Sequence, residues 1–437
     1  MSAASPAAPV DPSDEAPAQK DMMRLLVIAV IVGIVGAIGA TAFLYAVHEL
    51  QHAAFSSVPE ALGIDGAPWW WTGIMLLIGA TIVLIAQRLP GHTGASPLTG
   101  FHFDNPLKIV PGILLAAIGT LVFGIALGPE APLIVLGSAL GVLLLRRTRN
   151  EQAIKAGGFL GGTAAIGAIF GNPFITAFMI LEFAAFGVAP SFLILPVLVA
   201  LGASYLVQIG LWNIPGVGVH SLTLPDLPAY DSIHPGDLVV AALVAIVAGI
   251  VTVTAREVAL RYEGIAKSRP AIALYATAII TTIGVLIAVE GFGATNDEIL
   301  FSGQTGMPQL IAETSLGLVI VILLVKLVAY STALGGGFRG GPIFPATFLG
   351  VGVAVAGSLI FPEVSVSALA AAGIAAGSAA MIKLPATSAL LGLLLISGAG
   401  AAIAPFAILG AVVGLIVRLI AERRLESPAD SAPTPTH

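Results

Sequence analysis

Ten stretches of this chain contain no Asp, Glu, Lys or Arg: residues 25–47, 66–87, 109–129, 156–181, 183–225, 238–255, 271–289, 340–362, 364–382 and 384–417. A helix needs about 20 apolar residues to cross the hydrocarbon core of a bilayer. Two of the stretches have room for two helices, so about ten to fourteen membrane segments are expected. Only 10% of the 437 residues are charged, against roughly 25% in soluble chains. The fold class that follows is an all-α integral membrane protein.

The cationic residues cluster at Lys20 and Arg24, at Arg146, Arg147, Arg149 and Lys155, between Arg256 and Arg269, and at Arg418, Arg423 and Arg424. Positive charge marks the cytoplasmic side, so both termini and these loops are expected there, in a multi-pass protein of the cell membrane. Residues 1–21, rich in Ala, Pro, Asp and Ser, read as a disordered cytoplasmic tail. The apolar run that follows is too long for a signal-peptide core and is kept as the first membrane helix. Residues 22–235 and 236–424 read as two membrane repeats, and 425–437 as a short disordered tail with no soluble domain attached. The net charge of −6 comes with no basic face for nucleic acid. With no cysteine, the chain has no disulfide framework or thiolate site, and neither cofactor nor metal is expected.

The division into repeats comes from one motif that occurs twice. Gly124, Gly128, Pro129, Pro132 and Gly137 return as Gly337, Gly341, Pro342, Pro345 and Gly350, each 213 residues later. The strings GIALGPEAPLIVLG and GFRGGPIFPATFLG share the frame G-x3-G-P-x2-P-x4-G. A looser correspondence relates the segments around Pro173 and Pro385 at an offset of 212. A unit of this size is a transporter-type repeat rather than a short solenoid.

Proline is comfortable only in a helix's first turn, and glycine permits the backbone turns that end helices. Each copy of the frame therefore predicts a break where one segment stops and a new helix begins. A helix start presents unpaired N–H groups and the positive end of the helix dipole, which favour an anion. Two such starts could converge on a shared site near mid-membrane. Glu130 lies in the first break, where its carboxylate would compete with a mobile anion for those N–H groups. As a plain N-terminal cap it would need no special role. The second break, however, does without the acid, having Ile343 in its place, and intramembrane acids are costly enough to mark a pathway.

These residues resemble the CLC family of chloride channels and proton-coupled chloride exchangers. The family signature G-x-E-G-P is similar to Gly128-Pro129-Glu130-Ala131-Pro132, and G-G-x-F-x-P to Gly340-Gly341-Pro342-Ile343-Phe344-Pro345. Pro173 and Glu182 match the family's proline-led helix that ends in Glu. The strings are closest to a divergent bacterial subgroup that also carries GHxG, LGPExP and GFRGGxIFP. The resemblance implies two inverted halves with many tilted and broken helices, and a homodimer with one anion pathway per subunit. It makes Glu130 the gate, with Gly128, Ala131, Gly341, Ile343 and Phe344 at the anion site and Glu182 a candidate internal acid. Chloride or a similar small anion and the lipid bilayer are the implied partners.

The departures from the family pattern are specific. The first pathway motif falls on Thr93 to Pro97 and places Gly94 where a serine is usual, which leaves Thr93 and Ser96 as the substitute hydroxyls. Pro342 cannot donate an N–H. Phe183 stands where exchangers commonly carry the inner glutamate, and the pore tyrosine has no counterpart near the C-terminus. Passive conduction fits these departures better than proton coupling. A proton-coupled exchanger, or a transporter of fluoride, nitrate or an organic anion, stays open. An intramembrane enzyme is disfavoured by the lack of G-x-S-x-G and of an obvious pair of intramembrane acids.

Several other residues are weighed on chemistry alone. His92 and His102 flank the first pathway motif and read as loop histidines. Arg339 reads equally as an anion attractor or a snorkelling side chain. Lys326, inside the apolar stretch 316–338, is expected to point into the protein. Lys383 marks a helix end, and Trp69, Trp70 and Trp71 form an interfacial anchor.

Overall fold

The computed structural model describes residues 19–214, 224 and 227–425, in which every named secondary-structure element is a helix. The first half holds α1 (Gln19–His52), α2 (Trp69–Ala86), α3 (Val110–Leu121), α4 (Glu130–Leu145), α5 (Glu151–Phe170), α6 (Pro173–Ala185) and α7 (Ile194–Trp212). The second holds α8 (Pro235–Ser268), α9 (Pro270–Val285), α10 (Leu316–Gly335), α11 (Ile343–Ile360), α12 (Val366–Ile382), α13 (Pro385–Leu394) and α14 (Ala404–Leu425). Among the described residues, 10 helices are long and apolar enough to cross a membrane. The shorter α3, α6, α12 and α13 are apolar as well.

The tails expected at 1–21 and 425–437 fall outside the described residues, except that α1 already begins at Gln19 and α14 ends at Leu425. The uncharged stretches mark most helices but not all. The run 156–181 is divided between α5 and α6, because Gly171 takes a left-handed φ of 62° and Asn172 then caps α6 by accepting from Phe174 N–H at 2.9 Å. Helices α4 and α10 escape a search for uncharged runs because Glu130 opens one and Lys326 interrupts the other.

The seven helices of each half pack alike. In the first, α4 lies on α5, and α1 on α5 and α7; in the second, α11 lies on α12, and α8 on α12 and α14. The special backbone positions repeat too. Gly124 and Gly337 have φ of 88° and 94°, and Gly171 and Lys383 have 62° and 57°. The left-handed Lys383 ends α12, as expected of a helix-end residue, and its Nζ pairs with Glu422 at 3.2 Å. Across the halves, α2 packs on α9 and α6 on α13.

Lipid tails supply no hydrophobic force between helices, so close backbone approach has to hold them together. Gly137 of α4 and Gly161 of α5 are so close that a Cβ on either would meet the other's carbonyl oxygen. Gly350 and Gly373 do the same between α11 and α12. Gly137→Val should therefore force the α4–α5 seam apart and cost about 1–3 kcal/mol. A Cβ on Gly202 meets nothing within 4 Å, so Gly202→Ala should leave the protein unchanged. Thermal melting in detergent compares the two, and equal melting temperatures would contradict the seam's role.

Candidate functional site

The two breaks meet. Gly128 N–H donates to Gly341 O at 2.8 Å, and Gly341 N–H donates to Gly128 O at 2.5 Å, in an antiparallel pair. Each glycine is the other's counterpart at an offset of 213, so a reciprocal bond between them lies on a local two-fold axis relating α4 to α11. The pairing also uses both amides. Of the N–H groups expected to serve an anion, those of Gly128 and Gly341 are donated to each other in this conformation.

Glu130, at the first turn of α4, is fully buried. Its carboxylate reaches across the axis to the start of α11, where Phe344 N–H donates to Oε1 at 2.9 Å. The amides of Ile343 and of Glu130 itself also face it. The other oxygen, Oε2, has no hydrogen-bond partner. A charge-assisted bond favours this position, whereas an unpaired buried oxygen disfavours it by about 1–3 kcal/mol or more. The carboxylate is seated on a helix-start amide, but it is not locked there. Both paired glycines are needed for this seat, since a Cβ on Gly128 or on Gly341 would run into the carboxylate. Beside it, Tyr330 of α10 is fully buried and its hydroxyl donates to Pro342 O at 2.8 Å. The ring of Phe344 packs on Phe170 with centroids 5.8 Å apart.

On the other side of the axis, among the described residues, the start of α4 receives no such carboxylate from the opposite half, where Ile343 is the counterpart of Glu130. Ala131 and Pro132 there line a cavity of about 40 Å³ together with Thr93, Ser96, His102 and Arg339. Thr93 is buried and its hydroxyl donates to its neighbour His92 O at 2.5 Å. Ser96 Oγ accepts from Leu98 N–H at 3.4 Å. Among the described residues, no group of three or more His, Asp and Glu side chains could hold a metal ion.

A family model described as voltage gated chloride channel matches residues 92–418. The chain belongs to this family, the CLC family. It is 30% identical over 320 residues to the "Putative ion-transport protein YfeO" of Escherichia coli O6:H1 (strain CFT073), covering 69% of this chain and 71% of that protein. The relative of the same name in Escherichia coli O9:H4 (strain HS) is 30% identical over 321 residues, with the same coverage. Among solved structures, a slow cyanobacterial Cl−/H+ antiporter superposes with a TM-score of 0.75 at 17% identity, covering 93% of this chain and 99% of the other. A CLC-type fluoride/proton antiporter gives 0.71 at 18%, covering 92% and 97%. The fold is therefore the CLC one, a multi-pass membrane architecture of two inverted halves. The Gly128–Gly341 pair places the two-fold relation between those halves at atomic detail.

Within this CLC chain the remaining site residues fall into two groups. Glu130, Ile343 and Phe344 come together at the start of α11, while Ala131, Thr93 and Ser96 surround the cavity. Glu182 belongs to neither. At the end of α6 it caps α13 of the opposite half: Ala386 N–H donates to Oε1 at 2.8 Å, and Thr387 N–H and Oγ1 donate to Oε2 at 2.8 and 2.5 Å. Tyr330 went unnoticed in the sequence. Its signal was present, because Lys326 and Tyr330 are four residues apart and so share one face of an apolar helix. Both turn inward, and Lys326 Nζ donates to Ile299, Leu300 and Phe301 carbonyls at 3.1, 2.7 and 3.2 Å.

Removing the Glu182 cap has a defined expected cost. Glu182→Ala should lower stability by about 0.5–2 kcal/mol, the usual worth of a helix N-cap, while the pH profile of transport keeps its shape. Melting curves and flux measured at several pH values check both. Unchanged stability together with a flattened pH profile would point to proton traffic through Glu182 instead.

Proposed function

We propose that this protein carries chloride or a similar small inorganic anion across the membrane by a CLC-type pathway, with Glu130 as its gate. The observation that carries this reading is the Glu130 carboxylate seated on the Phe344 amide at the start of α11. A negatively charged group held by helix-start amides marks a place where a mobile anion would also be stabilised. The carboxylate and the anion therefore exclude one another. Protonation removes the charge that seats Glu130, so acid should free the amides for the anion.

Proton coupling is weak in this reading. Phe183 follows the one acid at the end of α6, and that acid, Glu182, has both oxygens engaged in capping α13. Strict anion/proton exchange is the second reading, favoured by the two antiporters whose fold this chain shares. The protein is a transporter or channel rather than an enzyme. It works in the cell membrane as a homodimer, with the cation-rich loops and both termini on the cytoplasmic side.

Chloride efflux from liposomes containing the purified protein tests the gate. Wild-type flux should rise as pH falls, and Glu130→Gln, which carries no charge at any pH, should be at least as fast and nearly flat with pH. An unchanged pH profile in Glu130→Gln would remove Glu130 from the gate. In the same liposomes a chloride gradient should move few or no protons uphill, and stoichiometric proton movement would select the exchanger.

A further inference from the structure

Pro342 is the N-cap of α11, and its carbonyl belongs to the same peptide unit as the Ile343 N–H that faces Glu130. A trans peptide is planar, and its C=O and N–H point in opposite directions. Whatever holds Pro342 O therefore also aims the Ile343 N–H. Tyr330 holds it: the hydroxyl donates to Pro342 O at 2.8 Å from a fully buried side chain on α10. The phenol also lies within electrostatic reach of Glu130. A continuous chain thus runs from the Tyr330 hydroxyl through the Pro342–Ile343 peptide to the Glu130 carboxylate. Hydrogen bonds in such a chain polarise one another, and all are stronger where water is excluded.

Helix formation alone does not call for the Tyr330 bond. An N-cap carbonyl already accepts the first intrahelical hydrogen bond, so the phenol takes the second lone pair of Pro342 O. The other break does without it. At the 213-residue offset Pro342 corresponds to Pro129, and Tyr330 to Ala117, which has no hydroxyl to offer. Leu133 N–H donates to Pro129 O at 3.0 Å, as in any helix start. The hydroxyl stands at the break that seats the carboxylate, and an alanine at the break that does not. Other charges stay off the chain. Helix α4 carries Glu130 alone, α11 carries none, and α5, which brings Phe170, has its charged residues Glu151 and Lys155 at its far end. Helix α10 carries only Lys326, held on the carbonyls of residues 299–301, and Arg339 is held on Thr93 O and Gly94 O.

We propose that Tyr330 is a positioning residue for the gate. Through the Pro342–Ile343 peptide its hydroxyl aims and strengthens the helix-start donors that hold Glu130 and, once Glu130 leaves, the transported anion. The proposal rests on the anion-transport reading with Glu130 as gate. It adds that the strength of the seat is set by a side chain that holds the peptide from behind.

The test is chloride flux through full-length protein in liposomes at a series of pH values. Tyr330→Phe keeps the ring and removes only the hydroxyl. With one supporting hydrogen bond lost, the charged carboxylate is held less firmly and leaves at lower proton concentration. The pH of half-maximal flux should therefore rise by about 0.5–1 unit. In a Glu130→Gln background the gate no longer competes, and there Tyr330→Phe should raise the chloride concentration for half-maximal flux about 3-fold, because the anion uses the same weakened donors. Replacing Tyr330 with 3-fluorotyrosine, whose more acidic hydroxyl is the stronger donor, should lower the pH midpoint instead. A purely structural tyrosine would change only the amount of active protein. Midpoint and half-saturation unchanged in Tyr330→Phe would therefore overturn the proposal, and so would shifts of the same sign in both replacements. Should Tyr330→Phe fail to fold, the 3-fluorotyrosine protein decides: a lowered midpoint supports the role and an unshifted one contradicts it. A Glu130→Gln protein that keeps the wild-type pH profile would defeat the gate reading and this proposal with it, an outcome distinct from a flat Glu130→Gln profile beside an unshifted Tyr330→Phe one.

Discussion

The reciprocal hydrogen bonds between Gly128 and Gly341 are the constraint on which the rest of the architecture depends. Two interrupted segments from opposite halves have to leave backbone N–H and C=O groups unsatisfied inside a bilayer, where each costs several kcal/mol by order of magnitude. Pairing one break with its own repeat satisfies them without water. That solution is available only if the halves are related by a two-fold axis through the pair. It also brings the starts of α4 and α11 to the same place. Glycine at both positions follows from the same geometry, since any side chain would fill the space that the Glu130 carboxylate occupies.

The axis makes the site symmetric in backbone and asymmetric in chemistry. One helix start receives an acid from the opposite half, and the other faces a cavity walled by an arginine. Nothing in the fold requires this difference, because Ile343 holds the second break as well as Glu130 holds the first. The polar groups around it are anchored instead of loose. Tyr330 holds Pro342 O, Lys326 holds the carbonyls of residues 299–301, and Arg339 ties the turn at Thr93 and Gly94 to the second break. Phe301 N–H in turn donates to Gly124 O at 3.2 Å, which joins the Lys326 anchor to the start of the first break. The proposed gate is thus the one charged group at the axis whose position is only partly satisfied, through the unpaired Oε2.

Much of this was legible in the residues. Membrane class follows from long uncharged runs, and the 213-residue offset exposes the repeat because Gly and Pro have backbone requirements that few other residues meet. The same offset singles out Glu130 by its absence from the second copy. What the sequence hid were contacts across the axis. It placed Gly128 and Gly341 at the anion site, and in the structure each spends its N–H on the other. Glu182 was a candidate internal acid, and in the structure it meets the start of α13, a partner 204 and 205 residues away. Arg339 was balanced between solvent and interior because an arginine's direction depends on which carbonyls fold up against it, and those of Thr93 and Gly94 are more than 240 residues distant. Helices α4 and α10 escape a charge-free search for a simpler reason: Glu130 opens one and Lys326 interrupts the other.

The central claim is that the Glu130 carboxylate and a mobile anion compete for the same helix-start amides. Calorimetric titration of chloride into wild-type and Glu130→Ala protein over a range of pH tests it most directly. Competition predicts that wild-type affinity strengthens as pH falls, while Glu130→Ala binds chloride at least as tightly at every pH and with little pH dependence. Identical affinities and pH dependence in the two proteins would show that the carboxylate and the anion do not share a site.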